Sequence, residues 1–249
     1  MKTGLCSITF RKMSPAEIVA LVAKAGLEGV EWGGDIHVPH GNLDVARQVK
    51  KLTLDAGLEV SSYGSYYHAV ADREKLPFAT VLATAKELGA PCIRVWAGAK
   101  GSAAADAAYR QAVADDLRRA GEAAAGEGIS LALEAHGGSL PDTTDSALRL
   151  MDEVGRPAVG LYWQSVERDT VETNIDNLGR VLPYLVNLHV FHYRGGAKPE
   201  MRPLTEGEDV WRQYLELVRT TGRDHWALLE FVRGETAQQF LEDAGTLRG

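Results

Sequence analysis

The sequence predicts an α/β fold closed into a single (β/α)8 TIM barrel over residues 1–249, and three observations predict it. Apolar, β-branched runs alternate with helix-period segments from one end to the other, which implies parallel strands joined by right-handed crossovers. Eight such runs can be counted, the number at which a parallel sheet closes on itself. No G-x-G-x-x-G or G-x-x-x-x-G-K-[ST] follows any of them, so the nucleotide-binding form of the open, doubly wound alternative lacks its signature. The length suits one unit, and neither a repeat nor a low-complexity linker divides the chain.

The expected strands are GLCSITF from Gly4, LEGVEWGG from Leu27, LEVSSYGSYYH from Leu58 and CIRVWAG from Cys92, followed by ISLALEAHGG from Ile129, AVGLYWQ from Ala158, LVNLHVFHYRG from Leu185 and WALLEFVRG from Trp226. Amphipathic helices lie between them. Ser14-Pro15-Ala16-Glu17 reads as a capping box with proline at the first helical position, and Ile18, Leu21, Val22 and Ala25 form the stripe to be buried. Trp211, Tyr214, Leu215 and Val218 repeat that spacing. Thr236 and Gln239 open the last helix in the same manner, with Phe240, Ala244 and Leu247 facing inward. The alanine-rich stretch from Ala103 to about Glu127 is the longest helix and reads as scaffold.

Composition narrows the function classes. A net charge of −7 and a pI near 5.5 argue against nucleic acid as the main partner, because phosphate backbones call for a basic face. Cys6 and Cys92 are too few for a disulfide framework, and reduced thiols in the cytoplasm are the simplest reading. The first residues show no secretory h-region, and no apolar run is long enough to span a bilayer, so no membrane partner is expected. Barrels of this kind often pair, which leaves a homo-oligomer open.

In such a barrel function sits at the C-terminal ends of the strands. In the fifth strand Ser130, Ala132, Glu134 and His136 share the parity expected to face the lumen; in the sixth, Gly160, Tyr162 and Gln164 do. His189 and His192 are three apart, so on a strand their rings point to opposite faces. Asn187, His189 and Phe191 form the more polar set, which makes His189 the inward histidine. Glu230, inside LLEFV, is a carboxylate that is expensive to bury unless paired or bound to a metal. A lone strand histidine is usually structural, and a lone glutamate often meets a helix-borne arginine. The recurrence of Glu134, Gln164, His189 and Glu230 at strand ends is what suggests a divalent ion, Mn, Mg, Co or Zn, held by oxygen and imidazole without thiolates.

With VEWGGDIHVPHG, VSSYGSYYH, IRVWAG, LALEAHGG, VGLYWQ, NLHVFHYR, PLTEGEDVW and LLEFV in this order, nearly the whole chain resembles the xylose isomerase-like superfamily, the sugar phosphate isomerases and epimerases related in fold to apurinic-site endonucleases. The resemblance implies metal ligands Glu, Asp, His and Glu on strands five to eight, here Glu134, Gln164, His189 and Glu230. Gln164 departs from the pattern, and Glu167 stands where a histidine often follows. Two ligating carboxylates then replace three, and a lower cation affinity is expected. The resemblance further implies a metal-dependent isomerase or epimerase of a small sugar or sugar-like polyol, in which Glu134 and Glu230 move the proton next to a carbonyl through an enediolate. His68, Arg94, His136, His192 and Arg202 are candidate contacts to substrate oxygens, and Trp32 and Trp96 candidate stacking partners for a ring.

Two loops add candidates. His37 and His40 lie after the second strand, where a solvated loop and a substrate contact are equally open. YRGGAKPEMRPLTEGED is long for such a connection and reads as a lid offering Arg194, Lys198 or Arg202. A dehydratase or lyase would use the same site and then expel a β-hydroxyl. A non-catalytic sugar-binding barrel, motivated by Gln164, would bind without turnover.

Overall fold

The computed structural model describes residues 1–72, 74–155, 157–194 and 199–249. Eight parallel strands close into a barrel: β1 (Lys2–Cys6), β2 (Gly29–Gly33), β3 (Glu59–His68), β4 (Cys92–Trp96), β5 (Ser130–Glu134), β6 (Val159–Trp163), β7 (Leu185–Val190) and β10 (Trp226–Leu229). β1 pairs with both β2 and β10, which shuts the ring. Between β7 and β10, β8 (Tyr193–Arg194) and β9 (Glu200–Met201) form a small antiparallel hairpin. Every expected strand is present, each ending earlier than its apolar run except β3. After β1, for instance, Ser7–Phe10 turns into a 3-10 helix.

Helices α1 (Pro15–Ala25), α2 (Leu43–Asp55), α3 (Phe78–Leu88), α4 (Ala107–Gly126), α5 (Thr144–Val154), α6 (Val171–Val181), α7 (Glu208–Arg219) and α8 (Ala237–Arg248) follow the barrel strands in turn. The capping box of α1 is complete, and Thr236 caps α8 by accepting from the Gln239 amide. The alanine-rich helix starts later than expected because the Asp106 side chain, accepting from the Tyr109 amide, ends the preceding loop. Apolar faces of helices and strands make the main core.

Inside the barrel a separate layer, Cys92, Ala132, Tyr162 and Leu228, fills the lower lumen, with Trp226 packed against it. Gly29 is required there, since a Cβ would stand 2.6 Å from the Trp226 ring. β3 is the irregular strand. Its register slips against β2 near Val30 and Glu31 and against β4 between Gly64 and His68. Such bulges re-aim side chains at barrel rims, and here the second one coincides with Tyr66 at φ 51°. Among the described residues no helix is long and apolar enough to cross a membrane.

Candidate active site at the carboxyl ends of the strands

Parity brings the strand-borne polar residues to one place. His189, fully buried on β7, stands at the centre. Its Nδ1 lies 3.1 Å from Glu230 Oε2 and 3.7 Å from Glu134 Oε1. Its Nε2 faces Glu31 Oε1 at 3.3 Å. Ligand atoms of Glu134, His189 and Glu230 all lie within 4.8 Å of one another.

Glu31 and Arg94 complete this buried layer. The Arg94 Nε donates to Glu31 Oε1 at 2.9 Å, and its Nη1 donates to Glu134 Oε2. Ser62 Oγ donates to Glu31 Oε2 at 2.8 Å, and the Cys6 thiol to Oε1 at 3.2 Å. Gly64 makes room, since a Cβ there would meet Arg94 Nη2 at 2.8 Å and Glu31 Oε1 at 3.1 Å. The charges stabilise one another. Burial alone would protonate Glu31, but Arg94 and His189 hold it well below the usual carboxylate range. Burial works against the imidazolium of His189, yet Glu230 and Glu31 raise it well above its ordinary value. The Cys6 thiol is pushed far up by burial and then by Glu31, so it stays protonated.

The donor chemistry suits a cation. His189 Nδ1, although close to Glu230, lies outside hydrogen-bond geometry, and Gln164 Oε1 is buried and unpartnered. The other end of the Gln164 amide donates to Ala135 O at 3.0 Å, which fixes the oxygen as the open atom. One orphaned acceptor, Gln164 Oε1, and an imidazole that can give up its Nδ1 proton to a ligand bond stand beside two carboxylates, a set that a divalent ion would satisfy. Glu31 and Arg94 offset each other, so with His189 neutral the layer keeps the two net negative charges that Glu134 and Glu230 supply, and no other group in it replaces the carboxylate missing at Gln164.

Above the layer opens a cavity of about 570 Å³, reached by Arg94, Glu134, Gln164 and Glu230. Its walls are largely aromatic: Tyr66, Trp96, His136, Phe191, Tyr193 and Phe231. Phe231 adopts φ 59°, and its amide donates to Thr9 Oγ1 at 2.9 Å, so Tyr66 and Phe231 both hold left-handed backbone that aromatics rarely adopt. The Tyr66 phenol accepts from Arg11 Nη2 at 2.8 Å, and burial pushes its pKa up to about 12. His136 Nδ1 is 2.7 Å from Gly137 O, which commits that nitrogen and leaves Nε2 as the free one.

Other candidates lie elsewhere. Trp32 is corrected: its indole is fully buried between barrel and α2, with Nε1 donating to Thr53 Oγ1 at 3.2 Å, because its parity is opposite to that of Glu31. Arg202 is also corrected, since it lines no part of this cavity and is paired with Glu206 at 2.9 Å and Glu200 at 3.6 Å. His192 is half-buried against Gly207, and burial holds it neutral. His68 is bound to Asp72 at 2.8 Å, its ring 4.9 Å from Trp96. His37 and His40 brace their loop through Ser7 at 2.9 Å and the Tyr63 hydroxyl at 2.7 Å. Lys198 lies outside the described residues. Glu31, Tyr66 and Tyr193 are strand positions missed from sequence. For Glu31 the signal was there: a carboxylate inside GVEWGG carries the same burial argument as Glu230 inside LLEFV.

A closed eight-stranded barrel with buried carboxylates and a histidine at its carboxyl end defines the class. Residues 19–248 match the xylose isomerase-like TIM barrel family, and the chain belongs to it. It is 28% identical to the 3-dehydroshikimate dehydratase of Bacillus anthracis, over 97% of this chain and 94% of the relative. The crystal structure of the probable 3-DHS dehydratase AsbF from Bacillus anthracis superposes with a TM-score of 0.83 at 26% identity, covering 100% of this chain and 99% of that one. The 3-keto-D-glucoside 4-epimerase YcjR from E. coli gives a TM-score of 0.73 at 18% identity over 99% and 98% of the two chains. A Mycobacterium smegmatis barrel of this family, solved in complex with magnesium, gives 0.70 at 20% over 96% and 90%. At those last two identities the likeness is one of fold. The relative matched over nearly the whole of both chains is an enzyme, a dehydratase.

Proposed function

We propose that this barrel is a metal-dependent dehydratase of a small cyclic β-hydroxy ketone carboxylate of the 3-dehydroshikimate type. The observation that supports it best is the whole-length likeness to a 3-dehydroshikimate dehydratase, at 28% identity, where the epimerases share the fold alone. The cavity agrees: six aromatic or imidazole rings around one polar floor suit an unsaturated six-membered ring. Dehydration thus stands ahead of the sugar isomerisation that the family resemblance first suggests.

Glu134, Gln164, His189 and Glu230 would hold the divalent ion, which supplies Lewis-acid stabilisation of the negative charge that develops on a carbonyl oxygen. The chain's own groups do the rest. Glu134 and Glu230 flank His189 Nδ1 on the floor, so a substrate carbon next to its carbonyl has a carboxylate within reach to take its proton. The β-hydroxyl leaves as water, carrying away the proton that the carboxylate took, and the His136 nitrogen not committed to Gly137 would accept a hydrogen bond from it at the rim. Arg94 Nη2, buried and unpartnered, is a donor to substrate oxygen. The strained Tyr66 and Phe231 hold their rings against the substrate plane. Loss of one water from a dihydroxycyclohexenone carboxylate gives, after enolisation, a dihydroxybenzoate, and that aromatisation drives the reaction forward.

Incubation with 3-dehydroshikimate and Mn2+ or Mg2+ should give rising aromatic ultraviolet absorbance. E134Q and E230Q should each reduce the rate by at least about 100-fold, within the range for removing a positioned acid or base. Deuterium entering keto-sugars from D2O without loss of water would instead favour an epimerase, and near-native rates in both variants would defeat the assignment of the two carboxylates.

A further inference from the structure

Beneath the ligand set, Glu31 makes a different kind of contact from the others. It is fully buried, and a single oxygen, Oε1, takes Arg94 Nε at 2.9 Å, Cys6 Sγ at 3.2 Å and His189 Nε2 at 3.3 Å, while Oε2 takes Ser62 Oγ at 2.8 Å. Cys6, Glu31 and His189 themselves bring ligand atoms within 4.8 Å of one another. They do not make a second ion site, because the Arg94 guanidinium already occupies Glu31 and would repel a cation, and His189 is shared with the set above.

We infer that Glu31 is a positioning residue that sets the metal layer from below, by accepting the Nε2 hydrogen of His189 and by dividing Arg94 between itself and Glu134. The inference rests on the metal-dependent reading above. Its two halves follow from the geometry. A proton held on Nε2 by Glu31 leaves Nδ1, the nitrogen facing Glu134 and Glu230, as the lone pair available to a ligand, and a carboxylate partner on the far nitrogen raises the basicity of that lone pair. Arg94 reaches both Glu31 and Glu134, so the charge of Glu31 draws part of the guanidinium field away from Glu134 and keeps that carboxylate a competent ligand. The bulge of β3 opposite Glu31 places Ser62 to hold Oε2, and Gly64 leaves the room for the pair.

The test uses the metal alone as probe. Mn2+ is titrated calorimetrically into metal-free wild type, E31Q and S62A, and Co2+ loading is followed by visible absorption. E31Q keeps the shape and removes the charge; it should bind Mn2+ about 10- to 100-fold more weakly, the usual effect of losing such a partner, and alter the Co2+ spectrum. S62A removes only the Oε2 hydrogen bond and should weaken binding about threefold, the lower end of what one hydrogen bond contributes. If E31Q fails to fold, S62A carries the test. A merely structural Glu31 would lower the melting temperature and leave Mn2+ affinity and the Co2+ spectrum as in wild type, which overturns the inference. Wild type that binds no divalent ion would sink the metal reading as well, whereas normal binding in wild type and in both variants sinks only the role of Glu31.

Discussion

At the scale of single residues, parity on a strand decides which side of the barrel a side chain serves, and Trp32 and Glu31 are the sharpest pair. They are neighbours on β2, one in the outer core and the other in the lumen. W32F should therefore lower stability without changing kcat/KM. It removes the indole donor to Thr53 and leaves a small void, together costing about 1–3 kcal/mol. Thermal unfolding and steady-state rates on the same preparation check this, and a large loss of activity at native stability would return Trp32 to the site. The same pair shows what was legible beforehand. His189, Glu134 and Glu230 were readable because a polar residue alternating with apolar ones announces its own face. Glu31 was less legible, because β2 is a short strand buried at every position, where no alternation of burial marks its face. Tyr66 was beyond reach: its turn into the cavity comes from a bulge, and a bulge shifts parity midway along a strand whose residues give no sign of it. Arg202 differs for another reason, since Glu206, four residues on, takes up its guanidinium locally.

Among elements, strand identity was legible throughout, since apolar runs separated by capped helices leave little freedom in a parallel barrel. Strand ends were not. Runs such as LLEFV continue past the ladder because the rim residues are buried against substrate space and helix instead of against another strand. β10 stops at Leu229, and Glu230 follows with one further ladder bond, its amide to Val190 O at 3.0 Å. Helix starts were more predictable, because a cap is a local, single-residue event. α8 illustrates the stake. Thr236 Oγ1 accepts from the Gln239 amide at 3.2 Å, and the helix then carries Asp243, whose Oδ1 accepts from the Leu204 amide at 2.8 Å and so ties the loop before α7 to the end of the chain. T236A should cost about 1 kcal/mol, read as a fall of about 2–4 °C in melting temperature for a domain of this size, with the rate of the folded enzyme unchanged. An unaltered melting temperature would mean that α8 is held by packing of Phe240 and Ala244 alone.

For the molecule as a whole, acid should be more damaging than the net charge of −7 suggests. His37, His40, His192 and His225 all have folded-state pKa values below the ordinary 6.5, in each case because burial disfavours the imidazolium. As pH falls through 6.5 the unfolded chain takes up protons at these positions that the folded protein resists. By linkage the stability must then fall with pH. His189 has the opposite sign. Its folded value is raised, so its contribution is fully present below 6.5 and is lost only as pH rises through that higher value. Acidification from pH 7.5 to 6.5 therefore brings a gain from His189 that offsets the loss at the other four histidines, and below 6.5 His189 contributes no further change. Calorimetric melting of the metal-free protein from pH 7.5 to 5.5 should show little change down to about pH 6.5 and a decline below it. Replacing His225, which touches Thr221 Oγ1 at 2.9 Å and Val186 O at 2.8 Å on the side of the barrel away from the active site, by glutamine should make the decline shallower while leaving turnover at pH 7.5 unchanged. A melting temperature that holds constant down to pH 5.5 would mean that these histidines protonate in place, with water reaching them inside the fold.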